Sequence, residues 1–205
     1  MKNALTLIKK LILTRVLAFV FLLAQFISPV SGVYNEKNFE QVIGQLSKIK
    51  KIASDFKQIK KIKALKSPLI SKGSFLFHKK ENKISWNLKS PFEVSFVITD
   101  QEITQKEKGK EPIRITPKNQ PLIFEFTQVL FSIFSGNREN LNNYFNIDFN
   151  GGLKNWNLTL TPKNENIQKI IKKLALSGDS SIRELKIFDQ GEDITTITFI
   201  NTKTN

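Results

Sequence analysis

Gly73-Ser74-Phe75-Leu76-Phe77-His78, then Ile84-Ser85-Trp86-Asn87-Leu88, then Phe92-Glu93-Val94-Ser95-Phe96-Val97-Ile98: apolar and polar residues alternate through all three runs. A period of two marks a strand with one face buried and the other wet. The first run turns Phe75 and Phe77 to one side, the second Ile84, Trp86 and Leu88, and the third Phe92, Val94, Phe96 and Ile98. The polar stretch from Lys79 to Lys83 and the pair Ser90-Pro91 separate the runs. Three strands joined by such short breaks predict an antiparallel meander.

The same pattern returns in the last third of the chain. Phe145, Ile147 and Phe149 share a face, as do Trp156, Leu158 and Leu160, with Asn150-Gly151-Gly152 as the turn between them. Leu174 to Leu176 reads as a further strand, after a short helical turn over Ile167 to Lys173. Ile182 to Asp189 and Ile194 to Asn201 form a hairpin across Gln190-Gly191-Glu192-Asp193, with Phe199 pointing inward. Two segments break the rhythm. Asn38 to Ile52 carries Phe39, Val42, Ile43, Leu46 and Ile49 at helical spacing, which gives one apolar stripe. Gln120 to Phe134 is apolar almost all round, with Pro121 suited to a first helical position and Gly136-Asn137 to a stop. A helix of that kind has to bury against something wide. About ten strands make a sheet that must curl, and the helices at 38–52 and 121–134 are the economical cover for its concave face. The expected fold class is mainly β with helices (α+β).

Composition narrows the function. The chain has 205 residues, 40% of them hydrophobic, which is enough for one domain with its own core. There is no Cys and one His, so thiol catalysis, disulfides, Cys-based zinc sites and multi-His metal sites are excluded. His78 alternates against Phe75 and Phe77 and reads as an exposed strand histidine. The patterns Gly-x-Ser-x-Gly, His-Glu-x-x-His, Gly-x-Gly-x-x-Gly and the P-loop are absent. A hydrolase would have to rest on a carboxylate pair brought together only in space, so the chain reads as a non-enzyme without cofactor or metal. The aromatic set is skewed, with 17 Phe against two Trp and two Tyr, and favours apolar surface over hydrogen-bonding rings.

Net charge is +14. Lys48, Lys50, Lys51, Lys57, Lys60, Lys61, Lys63 and Lys66 crowd one stretch. They read either as the solvated face of a helix and the following strand or as attraction to an anionic membrane surface. Nucleic acid is not the expected partner, because arginine is rare and the chain opens with an export signal. Lys2, Lys9, Lys10 and Arg15 precede the apolar run from Val16 to Ile27, and Pro29-Val30-Ser31-Gly32 offers small residues for cleavage after Gly32. That run is too short to span a bilayer, which takes roughly 20 residues. Residues 1–32 are therefore the expected signal peptide, 33–205 a single mature domain, and the periplasm its location.

In order and spacing, several of these runs resemble the LolA family, the periplasmic outer-membrane lipoprotein carriers. The residues concerned are Phe56-Lys57-Gln58 after an N-terminal helix, Gly73 to Phe77, Ile84-Ser85-Trp86, Ser90-Pro91, Val97-Ile98-Thr99-Asp100, and Trp156 to Lys163. Ser67-Pro68 ahead of Gly73 is similar to the branch found near glycolipid and aryl-polyene genes. The resemblance implies an incomplete antiparallel β-barrel with a helical lid over a hydrophobic cavity that takes acyl chains. Phe75, Phe77, Trp86, Leu88, Phe96 and Ile98 are then the expected lining, with Phe149, Trp156, Leu158, Leu160 and Phe199. Leu122, Phe124, Phe126, Leu130, Phe131 and Phe134 are the expected lid. The implied partners are lipoprotein acyl chains or another lipid, an inner-membrane transporter and an outer-membrane receptor, with the carrier a monomer. The typical carriers hold an Arg-Pro, tied to lid closure, in the turn before the Trp; Lys80-Glu81 match it here by spacing. Glycolipid or other lipid export, and an envelope scaffold that binds no lipid, are the alternative readings.

Overall fold

The computed structural model of the chain describes residues 36–205. The expected signal peptide at 1–32 lies outside the described residues. Helix α1 (Glu36–Ser47) leads into six strands: β1 (Lys51–Lys61), β2 (Leu69–His78), β3 (Lys83–Ser90), β4 (Val94–Ile98), β5 (Ile103–Glu107) and β6 (Ile113–Ile115). Helices α2 (Pro121–Ser135) and α3 (Arg138–Tyr144) follow. The chain then runs through β7 (Phe145–Gly152), β8 (Asn155–Pro162), α4 (Glu165–Gln168), β9 (Ile171–Gly178), β10 (Ile182–Asp189) and β11 (Ile194–Thr204).

All eleven strands belong to one antiparallel sheet, in the order β6-β5-β4-β3-β2-β1-β11-β10-β9-β8-β7. It is an incomplete barrel: β6 and β7 are its edges and do not pair with each other. Two meanders meet at the centre, where β1 lies beside β11 with Phe56 opposite Phe199. Every other strand connection is between sheet neighbours, so the one long crossing runs from edge β6 to edge β7. That crossing holds α2 and α3, and it carries α2 over the concave face.

The register aligns the apolar residues in rows across the inner face. One row runs Phe77, Ile84, Ile98, Ile103, Ile115 from β2 to β6. Another runs Ile197, Leu185, Leu176, Leu158, Phe149 from β11 to β7. Gly73 makes room in the sheet centre. A Cβ there would come within 1.9 Å of the Asn87 carbonyl oxygen and 2.8 Å of the Phe56 ring. Its absence lets Phe56 reach Trp86, with ring centroids 4.3 Å apart.

Four expectations change. The strands number eleven among the described residues, against about ten expected, because β6 is only three residues long and too short to read as a strand. Helix α1 stops at Ser47, since Lys51 already pairs with His78 in the sheet; Ile49 is buried in the turn between them. Phe92 does not point inward: β4 begins at Val94, and Phe92 sits exposed in the turn after Ser90-Pro91. Lys60 is buried rather than solvated. The Pro121 start and Gly136 stop of α2 are as expected, with Gly136 left-handed at φ 60°. A Gly73→Ala substitution drives its methyl into the Asn87 backbone, and urea unfolding will read a loss of about 1–3 kcal/mol. An unchanged midpoint contradicts the close approach.

Candidate functional site

Alternation aims Phe75 and Phe77 of β2, Trp86 of β3 and Phe199 of β11 at the same concave space, and α2 fills it from above. Phe134 lies 4.6 Å from Phe75, 6.1 Å from Phe77 and 5.8 Å from Phe199, centroid to centroid. Phe131 lies 6.5 Å from Phe77. Trp86 meets Phe75 at 5.5 Å and Phe199 at 6.4 Å. These are tilted and edge-on pairs, the arrangements favoured by ring quadrupoles. At its other end α2 places Phe124 against Ile103 and Ile115, sealing the β5–β6 edge. Phe126 is buried and Leu130 half-buried, while Leu122, in the first turn, is exposed. Two hydroxyls of the helix bond back onto it: Thr127 Oγ1 donates to the Phe124 carbonyl and Ser132 Oγ to that of Gln128.

The expected lining residues fall into two groups. Phe149, Trp156, Leu158 and Leu160 are fully buried on the far half of the sheet. There α1 covers them, with Phe39 5.5 Å from Phe149, and Trp156 Nε1 donates to the Asp179 carbonyl at 2.7 Å. Phe75, Phe77 and Phe199 are buried beneath α2. Trp86, Leu88, Phe96 and Ile98 are only half-buried, so the apolar inner face is partly open over β3 and β4. Two recesses lie at that end of the sheet, neither of them under α2. One of about 380 Å³ is lined by Leu88, Val94, Lys89, Glu93 and Lys106, among others, and one of about 410 Å³ by Phe56, Gly73, Lys57, Lys72 and Ile200.

Two features went unread in the sequence. The first is Lys79. Its Nζ donates to the Ser47 carbonyl at 2.6 Å and to the Ser135 carbonyl at 3.2 Å. Those are the last residues of α1 and α2, whose carbonyls have no partner within their own helices. One cation thus ties both helix C-termini to the β2–β3 turn, where helix dipoles favour positive charge. Spacing pointed one residue later, to Lys80-Glu81. Lys80 is exposed, and Glu81 sits 3.1 Å from His78 Nδ1.

The second is a polar end to the inner face. On β1 the inward series runs Ile52, Ser54, Phe56, Gln58, Lys60. Lys60 Nζ lies 3.6 Å from Asp193 Oδ2, with the two side chains 6% and 2% exposed. Burial pushes the Lys60 ammonium below the usual lysine range, against the pull of Asp193 and Asp189. Lys60 Nζ and Gln58 Oε1 make no hydrogen bond. The strand alternation carried this signal, but the surrounding lysines hid it. Among the described residues no three His, Cys, Asp or Glu side chains group as a metal site requires, and no helix is long and apolar enough to cross a membrane.

Solved structures of similar shape include a LolA superfamily protein from Nitrosomonas europaea, 8% identical, covering 82% of this chain and 94% of that one at TM-score 0.43. The Mycobacterium tuberculosis lipoprotein LppX is 12% identical, with 80% and 94% covered and TM-score 0.44. In the Pseudomonas aeruginosa MucA/MucB complex the identity is 8%, with 82% of this chain but only 56% of the other covered and TM-score 0.46. No curated protein matches the sequence. Residues 33–195 match the family described as outer membrane lipoprotein carrier protein LolA-like, and the chain belongs to that family.

Proposed function

We propose that the protein is a periplasmic carrier that shelters the acyl chains of lipoproteins and ferries them from the inner to the outer membrane. The observation that carries this reading is the seat of α2: a helix whose Phe131 and Phe134 occupy the concave apolar space that acyl chains would otherwise take. Each methylene moved out of water contributes roughly 0.8 kcal/mol, so about a dozen disfavour free diffusion across an aqueous gap by about 10 kcal/mol. A carrier must shelter that surface and still release it. Competition between helix and lipid for one site does both, because the empty protein closes upon itself. Cargo would enter where Trp86, Leu88, Phe96 and Ile98 are already half open. In this reading no covalent bond is made or broken, and the partners are an inner-membrane transporter and an outer-membrane receptor.

A second cargo is favoured by the polar end of the face. A lipid with a hydroxyl-rich head group would satisfy Gln58 Oε1 and give Lys60, already ion-paired with Asp193, the hydrogen bond it lacks; a bare hydrocarbon chain would do neither. Native mass spectrometry of protein purified from cell envelopes separates the two, by bound lipoprotein or by bound free lipid.

Three substitutions test the mechanism. Trp86→Asp or Phe96→Asp puts a charge on the half-open apolar face and should abolish capture of a fluorescent acyl probe while the protein stays folded; undiminished binding counts against the carrier reading. Lys79→Met removes both helix tethers, an expected loss of about 1.5–3 kcal/mol from the closed state. Amide exchange over 121–135 should then quicken and the acyl probe bind more tightly, since less closure has to be undone. Exchange rates equal to those of the unsubstituted protein rule out the tether.

A further inference from the structure

One end of the sheet is unlike the rest of the surface. There β1 ends, β2 begins, β3 ends and β4 begins, and the register holds Lys72 opposite Ser90. Phe92 stands two residues beyond Ser90, in the turn into β4, and Ile70 two residues before Lys72, so both lie at this end of the sheet. Phe92 is 65% exposed, Leu69 51%, and Leu65 and Ile70 48% each. Scattered single apolar residues are ordinary on a protein surface, but four large ones at one end of a sheet are not: Leu65 and Phe92 lie in the two loops, and Leu69 and Ile70 are the first two residues of β2. Exposed lysines surround them: Lys61, Lys66, Lys72 and Lys89 flank the two loops, and none makes an ion pair among the described residues. The nearby acids are fewer, and Glu192 is already engaged by Lys63.

We infer that this rim docks on the surface of an anionic lipid bilayer, with Phe92, Leu69, Ile70 and Leu65 entering the head-group layer and the lysines resting on lipid phosphates. The charge is of the right sign, and the apolar side chains are already exposed in the loops and at the start of β2, so they can insert without unfolding anything. The rim also adjoins the half-open inner face. Leu88 and Val94 pair across β3 and β4 two residues from Ser90 and Phe92, so docking here would bring that face to the membrane. The inference stands on surface chemistry and does not depend on which cargo the interior takes.

Co-sedimentation with vesicles tests it. The whole mature chain should bind vesicles of phosphatidylcholine mixed with phosphatidylglycerol more than pure phosphatidylcholine vesicles, and less as salt rises. The double substitution Phe92→Ser with Leu69→Ser should lower partitioning to both vesicle types by about tenfold or more. Lys61→Glu with Lys66→Glu should lower it on the anionic vesicles alone. All four positions are exposed, and acyl-probe binding and the melting temperature should stay unchanged, which separates a failed rim from a failed carrier. The proposal is overturned if the unsubstituted protein ignores protein-free anionic vesicles at low salt, as it would were the rim's occupant another protein. It is equally overturned if the serine variant binds them undiminished.

Discussion

An apolar inner face on a sheet that does not close has to be hidden, and here much of that cover is a fifteen-residue helix lying across the opening. The meeting of Phe134 with Phe75, Phe77 and Phe199 is therefore the contact on which the other arrangements turn. It anchors the C-terminal half of α2, whose own terminus is then held by Lys79. It also sets which part of the sheet is sealed and which stays half open. Removing the contact would expose three rings from two strands at once, each worth about 1.5–3 kcal/mol of burial. A ligand able to supply equivalent apolar surface could replace it at little net cost.

The interior is not uniform. Under α1 the packing is dry and fixed: Phe39, Phe149 and Trp156 interlock, and the Asp179 carbonyl receives both Trp156 Nε1 and Gln45 Nε2. Under α2 the contacts are rings stacked against rings, with few polar ties between helix and sheet. The far half of the sheet is thus tightly sealed and the near half partly open, although the same alternation writes both. This division explains why residues with identical sequence signatures, such as Leu158 and Leu88, end in different surroundings.

Much of the architecture was legible because strand alternation is a local property. Phe75, Phe77, Trp86, Trp156 and Leu158 each declare a face through their immediate neighbours, and Pro121 and Gly136 mark the ends of α2 through backbone geometry alone. Other features depended on distant partners and stayed hidden. Lys60 looked like one solvated lysine among many until Asp193, far along the chain, was placed beside it. Lys79 acquires its role only once the ends of α1 and α2 converge on it, and spacing had favoured its neighbour. Phe92 followed the alternation of its strand on paper, but the pairing of β4 starts two residues later. The half-open state of Trp86 and Phe96 could not be read at all, since it reflects where α2 fails to reach.

The pairing of β1 with β11 has a temporal consequence. The strand at the middle of the sheet and its neighbour are the first and last of the described strands, so the central ladder cannot form until β11 is available. Contacts of such long sequence separation fold slowly. Loss of even the last dozen residues would remove not a fringe but the seam joining both halves. Until β11 is in place, the two halves of the sheet have no common strand to join them.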